Sequence, residues 1–276
     1  MPLKMRFFNV AYFFAAVINI PFGNFELVVN VKTKSGKFIQ QHLMADPGKD
    51  IVIIEYKMPK GTKTVTLFDF TKHLQVIKTS FFGEMERGEK PIHTICCVLK
   101  FFSSDFISSD AMSKLRQKNP VAIRIPEEEL ENDFLIMGKE IPWEKSGVFS
   151  GHVHQLCDDA DRIYTSESNI EEISQGDKNV FQTLLSSTIN INSNSNSSDI
   201  KSCNVSIDKS ATCICHYESC LSWYPCALKY CDDIGHGGEK VSYRCGIKTC
   251  GKCRLFQYYV NNHEDCFWET PFKHGT

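Results

Sequence analysis

Cysteine is the residue type best placed to do chemistry in this chain of 276 residues, which contains 13 cysteines. Three of them lie in the first two thirds of the chain, and the other ten lie between Cys203 and Cys266. Such crowding is typical of a small module held by disulfide bonds in an oxidising compartment. The spacing of these cysteines does not determine their connectivity. The disulfide candidates in this segment are Cys203, Cys213, Cys215, Cys220, Cys226, Cys231, Cys245, Cys250, Cys253 and Cys266.

Zinc binding is the alternative chemistry for this segment. Cys250 and Cys253 form a C-x-x-C motif, and His216, His236 and His263 lie nearby in the sequence. Zinc would need reduced thiolates, which an oxidising compartment does not preserve. The disulfide interpretation is therefore favoured, and we expect neither a metal nor a cofactor.

Cys96, Cys97 and Cys157 form a second group of disulfide candidates. Cys96 and Cys97 are neighbours on a predicted strand, so their side chains point to opposite faces and only one of them can meet Cys157. A bridge from Cys96 to Cys157 would close a long loop, which stabilises the fold by about 4 kcal/mol in the chain-entropy account. The alternative is that these cysteines are buried, reduced thiols.

No set of residues in the sequence has the spacing of a catalytic site. His152 and His154 lack the H-E-x-x-H spacing of helical zinc hydrolases, and no G-x-S-x-G, P-loop or dinucleotide-binding motif is present. A cysteine nucleophile needs a free, activated thiol, and only an odd cysteine would be free in an oxidised chain. We therefore expect no catalytic residues and a protein that is not an enzyme.

Asp69 is unusual because it lies between Phe68 and Phe70 in a strand that is otherwise rich in apolar and β-branched residues. Strict alternation would place its carboxylate in solvent. If Asp69 is buried instead, its carboxylate must be hydrogen-bonded or must have a raised pKa. The packing around a buried Asp69 would then be sensitive to acid.

The N-terminus has the pattern of a secretory signal peptide. Lys4 and Arg6 precede an apolar run over residues 7–20, and we place the signal peptide at residues 1–23. A retained membrane anchor is disfavoured, because the run is shorter than the roughly 20 apolar residues that a spanning helix needs. Asn196 and Asn204 begin N-glycosylation sequons, which are used on secreted chains. We expect a secreted glycoprotein without stable membrane insertion.

The charge of the chain gives no indication of a nucleic-acid partner. The formal net charge is −2, and its 31 Lys and Arg residues are dispersed along the sequence. Nucleic-acid-binding domains instead concentrate basic residues into a patch or stripe. We therefore expect no polynucleotide partner.

Strand-like patterns dominate the first part of the sequence, and helix-like patterns follow them. Alternating or β-branched runs predict strands at residues 25–32, 50–56, 64–70, 73–82 and 93–102. Helical spacing predicts helices from a cap at Ser108 or Ser109 to 119, from 153 to 164, and over 170–176. Residues 186–202 are rich in Ser and Asn and predict an exposed linker. The sequence thus indicates an α+β domain over residues 24–185 and a cysteine-rich domain over 203–276.

Three runs of residues in this order resemble the Out at first family of secreted proteins. They are AMSKLRQKNP at 111–120, WYPCALKYC at 223–231 and YRCGIKTC at 243–250. The resemblance implies an N-terminal BRICHOS-like domain, which is an antiparallel sheet flanked by helices, followed by a small disulfide-rich C-terminal domain. It identifies Asp69 as the BRICHOS-like aspartate and assigns Cys96, and not Cys97, to the bridge with Cys157. Cys97, Cys220 and Cys253 are additional to the family pattern, and pairing Cys220 with Cys253 would leave Cys97 as the odd cysteine.

Two functions follow from the resemblance. The first is a chaperone-like protein whose sheet domain binds extended, β-prone segments of extracellular proteins or peptides. The second is an extracellular signalling or matrix-binding ligand that acts through its cysteine-rich tail. Trp223, Tyr224 and Tyr258 would form the partner surface in this second case, although packing of these rings inside the tail is the favoured interpretation. A developmental, possibly neural, role is implied by the family alone.

Overall fold

The first part of the chain, from Glu26 to Lys100, forms an antiparallel meander of six strands in the computed structural model of the protein. Each strand pairs with the next one along the chain. The strands are β1 (Glu26–Lys32), β2 (Phe38–Asp46), β3 (Ile51–Lys57), β4 (Lys63–Asp69), β5 (Leu74–Phe82) and β6 (Ile92–Lys100). The structure describes residues 26–59, 61–83, 85–87, 90–191, 200–206, 210–234, 240–261 and 266. The predicted signal peptide at residues 1–23 lies outside these ranges.

The central strands are apolar on both faces because both faces of the sheet are covered. On β3, Ile51 and Ile53 join one core cluster, whereas Val52 and Ile54 join a second cluster on the opposite face. Uninterrupted apolar runs are expected where a strand is buried on both sides. The five strands predicted in this part of the chain are confirmed. Strand β2 was not predicted.

Shorter elements complete the N-terminal segment. They are α1 (Ser109–Ser113), β7 (Ile123–Arg124), β8 (Glu128–Glu129), β9 (Asp133–Met137), β10 (Lys139–Glu140), α2 (Trp143–Ser146), α3 (Gly151–Leu156), β11 (Arg162–Thr165), α4 (Glu167–Ile173), α5 (Lys178–Ser186) and β12 (Ile189–Asn190). Four of the short strands extend the meander to a ten-stranded sheet of order β12-β10-β11-β6-β5-β4-β3-β2-β1-β7. Strand β12 lies within residues 186–202, which the sequence predicted to be a linker.

Helices α1, α3, α4 and α5 begin at side-chain caps and pack on the sheet. Helix α1 is capped by Ser108, whose Oγ accepts a hydrogen bond from the backbone N–H of Ala111, as predicted. The helix ends at Ser113, however, and not at residue 119. Helices α3, α4 and α5 bury their apolar residues in the cluster that covers one face of the sheet. The predicted helix over 153–164 is wrong beyond Leu156, because Ile163 and Tyr164 lie on β11, parallel to β6. Helix α5 was not predicted.

A long hairpin covers the other face of the sheet. Its strands are β13 (Cys213–Ile234) and β14 (Lys240–Val260), which pair antiparallel with three shifts of register. Trp223 and Tyr224 of β13 join the core cluster of the sheet face that holds Val52 and Ile54. Strands β8 and β9 of the N-terminal segment pair in parallel with β14. The C-terminal segment therefore shares its cores and part of its sheet with the N-terminal segment.

The observed architecture agrees with the prediction at a coarse level. The protein is rich in β-sheet, its helices are short, and its C-terminal region is rich in disulfides. Within the part of the chain that the structure describes, no helix is long and apolar enough to cross a membrane.

Candidate functional site

Asp69 lies at the end of β4 and holds the start of α3 against the sheet. Only 1% of Asp69 is exposed, so its carboxylate is buried rather than solvent-facing. Oδ1 accepts a hydrogen bond from the backbone N–H of Lys72 at 2.8 Å. Oδ2 accepts one from Ser150 Oγ at 3.1 Å and one from His152 Nδ1 at 2.8 Å. Ser150 is also the N-cap of α3, so a single side chain joins the strand to the helix.

The hydrogen bonds of Asp69 decide its protonation. Burial raises the pKa of this carboxyl group, but the hydrogen bonds from His152, Lys72 and Ser150 together lower it by more than burial raises it. The pKa of Asp69 therefore lies below the ordinary value for aspartate. Asp69 is therefore an ionised, hydrogen-bonded carboxylate at neutral pH. His152 has a structural role here, as His154 does, since His154 stacks on Trp143 with ring centroids 4.3 Å apart.

A disulfide bond lies on the same face of the sheet as Asp69. Cys96 of β6 is bonded to Cys157, the residue that ends α3, and neither sulfur is exposed. This is the pairing that the resemblance implies. The bond and the Asp69 hydrogen bonds therefore hold the two ends of the same short helix to two strands of the sheet.

Cys97 points away from this bond, to the hairpin side of the sheet. It is a free thiol that packs with Ile77, Tyr217 and Phe256. Burial raises the pKa of the Cys97 thiol far above its ordinary value, so the reactive thiolate is not populated at neutral pH. An intermolecular disulfide through Cys97 would require the hairpin to leave the sheet.

The C-terminal cysteines form five disulfides, three of which cross-link the two strands of the hairpin. These three are Cys220–Cys253, Cys226–Cys250 and Cys231–Cys245. Cys203–Cys213 and Cys215–Cys266 hold the segments before and after the hairpin against its base.

The zinc interpretation of the C-x-x-C motif is wrong for this arrangement. Cys250 and Cys253 are bonded to two different cysteines of β13, so neither offers a thiolate to a metal. Among the described residues, the one cluster with the spacing of metal ligands is Glu218, Cys220 and Cys253, and both of its sulfurs are disulfide-bonded. His236 and His263 lie outside the described residues.

The aromatic residues proposed as a partner surface are buried. Trp223 and Tyr224 are each 5% exposed and pack against the sheet, and Tyr258 stacks on Tyr164 of β11. The rings are therefore buried, as the favoured interpretation requires, but they pack on the N-terminal sheet as well as inside the tail. The exposed aromatic residues of the hairpin are instead Tyr230 and Tyr243.

The sequons differ in what the structure describes. Asn204 is exposed, immediately after the disulfide-bonded Cys203. Asn196 lies outside the described residues.

Sequence reasoning missed the polar contacts that fix the hairpin on the sheet. Gln41 Nε2 donates to the backbone carbonyl of Trp223 at 3.1 Å, and the Tyr56 hydroxyl donates to that of Cys220 at 2.8 Å. Thr79 Oγ1 and the Tyr217 hydroxyl are 2.7 Å apart. The available signal was the presence of polar residues at inward positions of otherwise apolar strands.

The fold and these contacts define a class: a strand-rich protein in which a disulfide-linked hairpin covers one face of a large, mainly antiparallel sheet. The chain matches the family described as Out at first over residues 25–173, and the family described as Out at first, C-terminal over residues 202–270. No solved structure gives a significant match.

Two relatives carry the same name as the family. The chain is 35% identical over 256 residues to the Out at first protein of Drosophila virilis. The aligned region covers 88% of this chain and 82% of that protein. It is 33% identical over 259 residues to the Out at first protein of Drosophila melanogaster, covering 90% of this chain but only 52% of that protein. The chain belongs to the Out at first family.

Replacing Asp69 by asparagine is expected to lower the free energy of unfolding by about 1.5–3 kcal/mol at pH 7, because the charged acceptor of three hydrogen bonds is lost. The folded-state pKa of Asp69 is depressed, so its stabilisation is present above the unfolded-state pKa of about 4 and is lost as the pH falls through the folded-state value. The difference between wild type and variant should therefore shrink below about pH 4. Urea unfolding at pH 7, 5 and 3 measures it.

Asp110→Asn is the matched control, since Asp110 is exposed and pairs with Lys114 on the surface of α1. Its effect should be small at every pH. Equal losses for the two variants, or a loss for Asp69→Asn that does not vary with pH, would refute the role given to Asp69.

Thiol titration tests the assignment of the cysteines. A denatured, non-reduced chain should expose one thiol, that of Cys97, because the other twelve cysteines are bonded. The native protein should react slowly with the same reagent, since this thiol is buried and protonated. Three or more thiols after denaturation, or fast labelling of the native protein, would contradict the assignment.

Proposed function

We propose that this protein is a secreted, non-enzymatic binding protein whose N-terminal segment is BRICHOS-like and holds extended, β-prone segments of extracellular proteins or peptides. The leader pattern and the six disulfides support an oxidising, extracellular location. The antiparallel meander, the buried Asp69 and the Cys96–Cys157 bond support the BRICHOS-like assignment.

Clients can reach only the edges of the sheet. The hairpin covers one face and α3, α4 and α5 cover the other, so neither face is free to accept a flat segment. A client strand would instead be added to an edge through backbone hydrogen bonds.

The edge of β1 is the observation that carries this proposal. Strand β1 pairs with β2 along its whole length, but its opposite edge pairs with β7 at Asn30 and Val31 alone among the described residues. Ile123 and Ile125 beside this edge are 54% and 63% exposed. An incompletely paired strand next to exposed β-branched side chains favours pairing with another extended chain.

The proposal predicts that the purified protein, in substoichiometric amounts, delays fibril formation by an amyloid-forming peptide, followed by thioflavin fluorescence. The double variant Ile123→Lys/Ile125→Lys should lose most of this delay, because charges beside a strand edge oppose the addition of a client strand. Val148→Lys is the control, since Val148 is 48% exposed and lies next to the helix-covered face. No delay with any of several peptides, or full delay by the double variant, would refute the proposal.

The outer part of the hairpin favours a second function, that of an extracellular signalling or matrix-binding ligand. Tyr230 and Tyr243 are 60% and 49% exposed, and the Cys231–Cys245 bond holds this part of the hairpin in shape. Exposed aromatics on a rigid support are typical of recognition surfaces. The developmental role implied by the family would fit this function. The variant Tyr230→Ala/Tyr243→Ala distinguishes the two functions: loss of cell-surface binding with an intact fibril delay assigns the hairpin a separate partner.

A further inference from the structure

A cavity of about 260 Å³ lies between the hairpin and the sheet, beside α4. Its apolar wall is formed by side chains of β4, β6, β9 and β13 together with Phe101, which directly follows β6. The residues of this wall are Phe68, Leu99, Phe101, Leu135 and Leu221. The volume is many times the roughly 30 Å³ that one water molecule occupies in the liquid, so the cavity can hold a small organic molecule.

A buried amide lines this cavity. Gln75 of β5 is 1% exposed, and neither its Oε1 nor its Nε2 has a hydrogen-bond partner among the described residues. Leaving both ends of an amide unpaired in the interior costs free energy, and an apolar side chain of similar size would avoid that cost. Gln75 therefore presents an NH2 donor group and a carbonyl acceptor to whatever the cavity holds.

Arg254 of β14 and Tyr224 of β13 add donors to the same cavity. The Arg254 side chain is 16% exposed, and its Nε lies 3.3 Å from Asp133 Oδ2. Arg254 lines the cavity, and its guanidinium carries further N–H donors besides Nε. Tyr224 also lines the cavity, and burial raises its pKa to about 12, so the hydroxyl remains a donor.

The charges around the cavity are balanced. Three cationic residues, Lys100, Lys252 and Arg254, and three anionic residues line it. The anionic residues are Asp105, Asp133 and Glu172. A ligand with a net charge would face an equal number of unfavourable charges, whereas a zwitterion can place each of its charges near an opposite one.

We infer that this cavity binds a small zwitterion with an apolar body, an α-amino acid with an apolar side chain being the matching class. The ligand carboxylate accepts from the Arg254 guanidinium and the Tyr224 hydroxyl, and the ligand ammonium group donates to Gln75 Oε1 and the carboxylates. The side chain of the ligand packs against the apolar wall. This site is separate from the β1 edge and does not depend on the function proposed for it.

Thermal unfolding of the full chain with added L-phenylalanine tests this inference. At a concentration well above its dissociation constant, L-phenylalanine should raise the Tm by about 2 °C or more. Calorimetric titration then gives the affinity. 3-Phenylpropionate and phenethylamine, which each keep one of the two charges, should bind at least about tenfold more weakly, as expected when one of two charged contacts is removed.

Gln75→Leu is the decisive variant, because it removes the unpaired amide and keeps an apolar residue that packs in the sheet. The free variant should be at least as stable as wild type, and its affinity for L-phenylalanine should fall at least about tenfold. Gln40→Leu is the control, since Gln40 is an exposed glutamine of β2 that does not line the cavity. It should keep the affinity of wild type.

Three results would overturn the inference. The first is the absence of any Tm shift with L-phenylalanine or L-leucine. The second is undiminished binding by Gln75→Leu. The third is stronger binding of N-acetyl-L-phenylalaninamide than of L-phenylalanine, which would assign the cavity to an uncharged amide, as in a peptide segment, instead of a free amino acid.

Discussion

The packing of the hairpin on one face of the sheet is the interaction on which the rest of this structure depends. Strands β3 to β6 carry apolar residues on both faces, and the hairpin buries the face that α3, α4 and α5 do not reach. Without it, residues such as Val52, Ile54 and Phe68 would be exposed to water, at a cost of about 1.5–3 kcal/mol for each large apolar side chain. The N-terminal sheet therefore needs the C-terminal segment to complete its core.

The disulfides stabilise each segment internally, whereas packing holds the two segments together. Each of the six bonds lies within one segment: Cys96–Cys157 in the N-terminal segment and the other five in the C-terminal one. None of them connects the hairpin to the sheet, so that contact depends on apolar burial and on hydrogen bonds such as those of Gln41 and Tyr56. The bonds make the hairpin rigid, and its inner surface then fits the sheet.

Local sequence patterns predicted the elements whose neighbours are local. The strands at 50–56 and 64–70 follow directly from β-branched, apolar runs, and α1 follows from its serine cap. Strand β2 was missed because Gln40, Gln41 and His42 interrupt its apolar pattern. Gln41 is nevertheless fully buried, because its amide donates a hydrogen bond to the backbone carbonyl of Trp223, 182 residues away. The spacing of Ile163 and Tyr164 matches a helical period by coincidence. The two residues form a strand instead, because they pair with β6.

For the candidate sites too, the sequence indicated the residues with a local signal but not their distant partners. Asp69 was singled out because a carboxylate in an apolar strand is a local anomaly, but its partner Ser150 lies 81 residues away and has no local signature. The cysteines indicated a disulfide-linked segment. Their spacing did not indicate which cysteines pair, or that the segment forms one long hairpin packed on the sheet. The charged cavity joins side chains from both segments, so no single stretch of sequence indicates it.

Cleavage between the two segments tests the shared core most directly. A protease site placed within residues 192–199 would cut the chain where no disulfide bridges the two fragments. The fragments should then remain together in size-exclusion chromatography without reductant and unfold in one cooperative transition. Separation into two folded fragments, each with its own unfolding transition, would contradict a core shared by the hairpin and the sheet.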